Sequence, residues 1–325
     1  MKWRRLILFK KGLTVMFGVV LVLIFAACSE STSNEGSTGA DGESEGKIHI
    51  VTTIAQIGEP LSIIGGEHVE VKSLMGPSID PHMYNATQGD ISTLDGADMI
   101  FYNGLDLEAN MVKIFNQIGQ NKPVLAIGET LSEDQLLEEE LGVIDPHIWF
   151  DIDLWKQALE SAVEEMKLFA PEHADVFEEN SQRYFEELDT LQEDAQHKLS
   201  EIPVEKRYLI TAHDAFGYFG EKFDIEVVGL QGLSTEDEVG VSDINDTIAL
   251  IKEYGVPAIF VESSVPRERI ESVIEGAASS GLEVEVGGEL YSDAMGEDGT
   301  EEGTYLGMYR YNVDTIYEAL AGGAE

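Results

Sequence analysis

The chain has 325 residues, with 62 Asp and Glu against 20 Lys and Arg, for a formal charge of −42. That balance excludes a general binder of nucleic-acid phosphates, which needs clustered Lys and Arg, and the single cysteine excludes a disulfide framework or a cysteine-built zinc knuckle. Since 43% of the residues are hydrophobic, sizeable cores can form, and the length suggests about two lobes.

The first 27 residues pair a positive stretch (Lys2, Arg4, Arg5, Lys10, Lys11) with the uncharged run 12–27, ending Ala26-Ala27-Cys28. A run of 16 is short for a spanning helix, which needs roughly 20 residues, and suits a secretory signal. Small residues ahead of a lone cysteine resemble a lipobox, with cleavage before Cys28 and acyl chains added to it. Residues 28–46 are rich in Ser, Gly and Glu with no large apolar side chain, and are expected to be a flexible tether.

From residue 47 onward short Val- and Ile-rich runs alternate with amphipathic stretches. Strands are expected over 48–54, 70–75, 99–103, 123–127, 208–211, 225–230, 258–261 and 282–286, and helices over 107–118, 244–254 and 267–278. Such alternation implies an α/β fold of βαβ units, with mostly parallel sheets flanked by helices. The middle departs from it. Phe177, Tyr184, Leu188, Leu191, Ala195 and Leu199 form one helical stripe between Pro171 and Pro203. A helix over 171–202 would be about 45 Å long, a strut joining an N-terminal lobe (47–170) to a C-terminal lobe (203–325).

Two pentapeptides share a pattern: Asp80-Pro81-His82-Met83-Tyr84 and Asp145-Pro146-His147-Ile148-Trp149. Proline fixes its own φ and biases the residue before it toward an extended shape, so each histidine sits on a stiff loop. A third histidine, His213, directly follows the expected strand 208–211, and Asp293 follows the strand expected to end at Val286. Ligands of open α/β sheets bind beyond the carboxyl ends of strands. Two lobes facing each other there would bring two groups from each side to one cleft. Three imidazoles and a carboxylate make a divalent transition-metal site. The remaining histidines, His49, His68, His173 and His197, are read as ordinary surface or core residues.

Beyond the paired DPHMY and DPHIW, the segments TAHDAFGYF, GLQGLSTEDEVG (230–241), FVESSVP (260–266) and GGELYSDAMG (287–296) complete a recognisable set. Together with the lipobox they resemble, over essentially the whole mature chain and in the same order, the metal-binding lipoproteins of manganese and zinc ABC importers. That group includes the streptococcal adhesin-type antigens. The resemblance implies two α/β lobes joined by one long rigid helix with the metal between them, and a lipid-anchored, extracytoplasmic monomer. Its implied partners are the membrane permease and cytoplasmic ATPase of the importer. It places the metal ligands on His82, His147, His213 and Asp293, with Asp80 and Asp145 as acids that orient the histidines and Glu262 as a further one.

The metal is expected to be Mn²⁺, with Zn²⁺ the alternative. Zinc-dedicated members carry a long His-rich acidic loop before the second histidine, whereas 129–142 here is short, acidic and free of histidine. Many manganese members, however, have Glu where His213 stands. No covalent chemistry is expected. A metallohydrolase would need an open coordination position and a general base, and four protein ligands leave none. An adhesin-like surface protein with a structural metal is the other rival.

Overall fold

The structure, a computed structural model, describes residues 46–138, 142–236 and 238–322; the signal peptide, Cys28 and nearly all of the tether lie outside them. Among the described residues eight parallel-paired strands alternate with helices. The N-terminal part runs β1 (Ile48–Thr52), α1 (Ala55–Gly65), β2 (Val69–Ser73), α2 (Gln88–Gly96), β3 (Met99–Tyr102), α3 (Val112–Ile118) and β4 (Val124–Ala126). Its sheet has the order β2-β1-β3-β4, the geometry that right-handed βαβ crossovers impose. After α4 (Ile152–Phe169) and α5 (Ala174–Leu199) come β5 (Tyr208–Thr211), α6 (Gly217–Phe223), β6 (Glu226–Gly229), α7 (Val241–Tyr254), β7 (Ala258–Glu262), α8 (Glu268–Ser279), β8 (Glu285–Leu290) and α9 (Tyr305–Ala321). Here β5 pairs with β6 and β7 with β8.

The middle helix forms with the expected stripe buried: Phe177, Tyr184, Leu188, Leu191, Ala195 and Leu199 all face inward. It is shorter than 171–202, because Pro171–His173 makes a 3-10 turn and the α-helix proper has 26 residues, about 39 Å at the standard rise. Beyond its C-terminus Arg207 donates to the carbonyls of Ser200 and Ile202, meeting acceptors the helix end leaves over. The buried face packs on α1, α4 and α9, so this helix is the spine of one large core. Phe150, Trp155, Phe219, Tyr305 and Tyr309 belong to that core, and a second, smaller core lies around β5, β7, α7 and α8.

One strand sits elsewhere than expected. The last runs over Glu285–Leu290 rather than 282–286, through the Gly287-Gly288 pair that reads as a strand end. The pairing slips by one residue there, between Ile259 and Phe260 of β7. A Cβ on Gly287 would meet the Phe260 ring at 2.8 Å and one on Gly288 would meet Thr315 at 2.4 Å. The glycines are the bulge and the close approach, and the strand continues past them. Asp293 consequently stands three residues beyond the strand.

A half-buried acid sits where α1 meets α5 and α9. Glu59 accepts the backbone N–H of Tyr305 at 3.3 Å. Burial pushes its carboxyl up to about 7, with the Tyr305 bond and Tyr184 opposing and Glu187 adding to the rise. An acid whose pKa is raised on folding holds its proton more tightly in the folded state. It therefore contributes stability in full below the ordinary value of 4.5 and loses it as pH climbs through about 7. The difference is worth about 3 kcal/mol. Glu59→Gln is expected to flatten this part of the pH–stability curve of the metal-free protein; urea titrations at pH 5 and pH 8 that show the same loss in both proteins would contradict it.

Candidate metal centre

Each of the two Asp-Pro-His segments folds into the same local turn. Asp80 Oδ1 accepts the backbone N–H of His82 at 2.9 Å, and Asp145 Oδ1 accepts that of His147, also at 2.9 Å. An aspartate bonding to the backbone two residues on is an Asx turn, and the intervening proline stiffens it. The second copy goes further, because Asp145 Oδ1 also lies 2.7 Å from His147 Nδ1. Directly after it, Asp151 caps α4 by accepting the N–H groups of Asp153 and Leu154, which fixes the chain leaving His147.

His213 and Asp293 come from the C-terminal part. The backbone N–H of His213 donates to Glu262 Oε1 at 2.8 Å, and the other oxygen of Glu262, at the end of β7, lies 2.5 Å from His213 Nδ1. Around Asp293, the Ser292 carbonyl accepts from Gln56 Nε2 and Trp149 Nε1, and the Asn312 amide pairs with both backbone groups of Tyr291.

Carboxylates on the Nδ1 side of His147 and His213 leave their Nε2 atoms aimed inward, where the four side chains meet. His147 Nε2 is 3.3 Å from His82 Nε2 and 3.4 Å from Asp293 Oδ1, while Asp293 Oδ2 is 3.3 Å from His213 Nε2 and 3.9 Å from His82 Nε2. One donor atom from each residue lies within 4.8 Å of all the others. Bonds of about 2.1 Å at the tetrahedral angle would put donors roughly 3.4 Å apart. The spacing is that of a four-donor cation cage.

The polar groups here also lack other occupation. Both Asp293 oxygens are buried and face the ring nitrogens of the cage at 3.3–3.9 Å without a well-aligned hydrogen bond, so the carboxylate needs protons on those rings or a metal cation in their place. Two Nε2 atoms facing each other at 3.3 Å likewise need a proton or cation between them. Relative exposure is 0% for His147 and His213, 1% for Asp293 and 5% for His82, so an ion inside would be sealed from water.

Electrostatics divide the histidines. Burial resists charging all three. For His147 the carboxylates of Asp145 and Asp293 overcome it and raise the imidazole to about 9, and for His213 those of Glu262 and Asp293 raise it well above the ordinary range. His82 is left to burial, which lowers it to about 3. Burial also pushes Asp293 up, but the facing imidazoles outweigh it and hold the carboxyl well below the usual range. Asp80 is raised by burial and by the charge of Asp293.

All four side chains singled out in the sequence thus converge, and Asp80, Asp145 and Glu262 each bond directly to a converging histidine residue. The other histidines take no part: His68 stacks on His173 with ring centroids 3.9 Å apart, and His49 lies 3.6 Å from Glu70. Sequence reasoning missed the supports further out. The buried Glu108 accepts from Thr53 Oγ1 and from the N–H groups of Asn103 and Gly104, and Asn103 Nδ2 in turn holds the Pro146 carbonyl beside His147. Thr235 Oγ1 donates to Asp80 Oδ2 at 2.6 Å. No spacing rule joins residues so far apart.

Comparison with known proteins gives the family of the chain. A family model described as the zinc-uptake complex component A, periplasmic (ZnuA), matches residues 50–319. The manganese-binding lipoprotein MntA of Bacillus subtilis is 41% identical over 304 residues, covering 93% of this chain and 99% of that protein. The zinc-binding protein TroA of Treponema pallidum is 42% identical over 281 residues, 86% of this chain and 91% of that one. A solved structure of that periplasmic zinc-binding protein superposes with a TM-score of 0.83, covering 85% of this chain and 99% of its own.

Proposed function

This chain belongs to the ZnuA family of metal-binding components of ABC importers, and on that premise we propose that His82, His147, His213 and Asp293 are its ligands and Mn²⁺ its cargo. The observation that carries the assignment is the sealed cage of three inward-aimed imidazole nitrogens around a carboxylate that accepts no well-aligned hydrogen bond. Asp80, Asp145 and Glu262 hold the histidine loops in register. Partners of a ligated histidine of this kind typically change metal affinity 10- to 100-fold when removed, so Glu262→Ala is expected to weaken binding by about that factor. An unchanged affinity by calorimetry would remove Glu262 from the role.

Manganese is favoured by the short link between Glu138 and Ile144, which form an antiparallel bridge where a His-rich loop would otherwise enter. The likeness to MntA points the same way, and that to the zinc-binding TroA points to the other metal. The donor set itself favours the second reading, zinc, since three imidazoles suit Zn²⁺ and first-row affinities rise toward Cu²⁺ with Zn²⁺ above Mn²⁺. Affinity alone therefore does not identify the cargo. The deciding experiment is cellular metal content on deleting the gene: manganese accumulation should fall and recover on complementation, whereas a fall in zinc alone identifies a zinc importer.

The protein performs capture and delivery and no bond-making chemistry: the four donors are 0–5% exposed, which leaves a substrate no access to the enclosed ion. It acts as a monomer held to the outer face of the membrane by acyl chains on Cys28, handing its ion to a permease driven by a cytoplasmic ATPase. Cys28→Ala should release the protein into the medium; retention in the membrane fraction would contradict the anchor.

A further inference from the structure

The four donors are not held alike. His147 is braced by Asp145, by Asn103 at the Pro146 carbonyl and by Tyr218, whose hydroxyl donates to the Asp145 carbonyl. Glu262 braces His213 at both its backbone and its ring. Asp293 follows a carbonyl bonded by Gln56 and Trp149. Behind these, Tyr305 and Tyr309 donate to the carbonyls of Trp149 and Phe150, joining the His147 segment to α9 inside the large core. Moving any of the three would break several buried hydrogen bonds at once.

His82 differs. Among the described residues no carboxylate lies within ion-pair distance of its Nδ1. Its segment, 76–86, belongs to no helix or strand and carries the exposed Ile79 and Met83. What ties that segment to the C-terminal part is a small set of polar contacts with the stretch after β6. Thr235 Oγ1 donates to Asp80 Oδ2 at 2.6 Å, and Asn110 Nδ2 reaches the His82 carbonyl (3.1 Å) and, at the exposed surface, Glu236 Oε1 (3.2 Å). Thr235 is itself pinned, because Gln231 Nε2 donates to its carbonyl at 2.7 Å.

An ion enclosed by four buried donors passes in or out only when one of them moves, and the donor whose movement breaks the fewest buried bonds moves first. Building on the metal-cargo reading above, we propose that His82 is the releasing donor and that Thr235 and Asn110 form the latch that sets how fast the 76–86 segment opens. With His82 swung out, the ion keeps His147, His213 and Asp293 and gains one open position. An incoming donor from an acceptor can bind there before the remaining three let go, so the ion is never stripped bare. A latch on a gate changes entry and exit together and leaves the equilibrium nearly unchanged, because the bonds to the ion are untouched.

The test is stopped-flow kinetics on the intact protein, with the fluorescence of Trp149, whose ring centroid lies 5.3 Å from that of His147, as reporter. Mn²⁺ uptake, Mn²⁺ release into excess EDTA and equilibrium affinity are measured for the wild type, Thr235→Val, Asn110→Ala and Thr235→Ser. Melting curves of the metal-free forms establish folding, and Asn110→Ala serves should Thr235→Val fail to fold. The expected result is a rise of about tenfold in both uptake and release for Thr235→Val and Asn110→Ala, the scale of one lost hydrogen bond. Affinity should stay within about threefold, and Thr235→Ser should restore wild-type rates. Release within twofold of the wild type in the folded variants overturns the latch. So does a tenfold weaker affinity with unchanged uptake, which would make these bonds part of binding strength. A wild type that takes up neither Mn²⁺ nor Zn²⁺ fails the functional reading itself, whereas normal wild-type binding with unaltered variants fails the latch alone.

Discussion

Asp293→Ala should abolish metal-induced stabilisation while leaving a folded protein. A ligand at a thousand times its dissociation constant stabilises the state it binds by about 4 kcal/mol, which in a chain of this size raises the melting temperature by roughly 10 °C. The wild type should show a rise of that order with Mn²⁺ and a larger one with Zn²⁺. The variant should show none, because Asp293 is the one anionic donor of the cage and both its oxygens are free of other hydrogen bonds. For the same reason its removal takes no hydrogen bond from the scaffold, and far-UV circular dichroism should be unchanged. A variant that retains the metal-dependent shift would remove Asp293 from the site.

Acid should weaken binding steeply. In the metal-free protein the carboxylates of Asp145, Glu262 and Asp293 hold protons on His147, raised to about 9, and on His213, raised well above the ordinary imidazole range. An imidazole whose pKa is raised on folding stabilises the folded state in full below its ordinary value of 6.5 and loses that contribution as pH climbs through the raised one. The metal needs both rings neutral and must displace these protons. Between pH 6 and pH 8 the affinity should therefore rise by about two decades per pH unit, the slope easing above pH 9 as His147 gives up its proton. Calorimetry in buffers of different ionisation enthalpy should count about two protons released per ion. Asp145→Asn removes the main charge holding the proton on His147, so its slope should fall to about one even as its affinity drops. An affinity flat from pH 6 to pH 8 would contradict this account.

Short-range chemistry in the sequence was enough to place most of the fold and the cage. The two Asp-Pro-His turns are local devices whose geometry follows from the proline and the aspartate, and the strands are Val- and Ile-rich runs with clear borders. The spine helix declared itself through the spacing of Phe177 to Leu199, although its first turn tightens after Pro171. What escaped was set by tertiary approach. Gly287 and Gly288 look like a strand end until Phe260 and Thr315 are seen pressing on them. Glu108 looks like one acid among 62 until it is found buried, bonded to Thr53 from 55 residues upstream. Thr235 and Asp80 are 155 residues apart, so only the closed fold reveals that they touch.

The measurement that bears most directly on the central claim is a crystal structure of the loaded protein with anomalous data collected at the metal absorption edge. The account predicts one strong anomalous peak, about 2.0–2.3 Å from Nε2 of His82, His147 and His213 and from a carboxylate oxygen of Asp293. A peak elsewhere, or one whose shell omits any of these four residues, would contradict it.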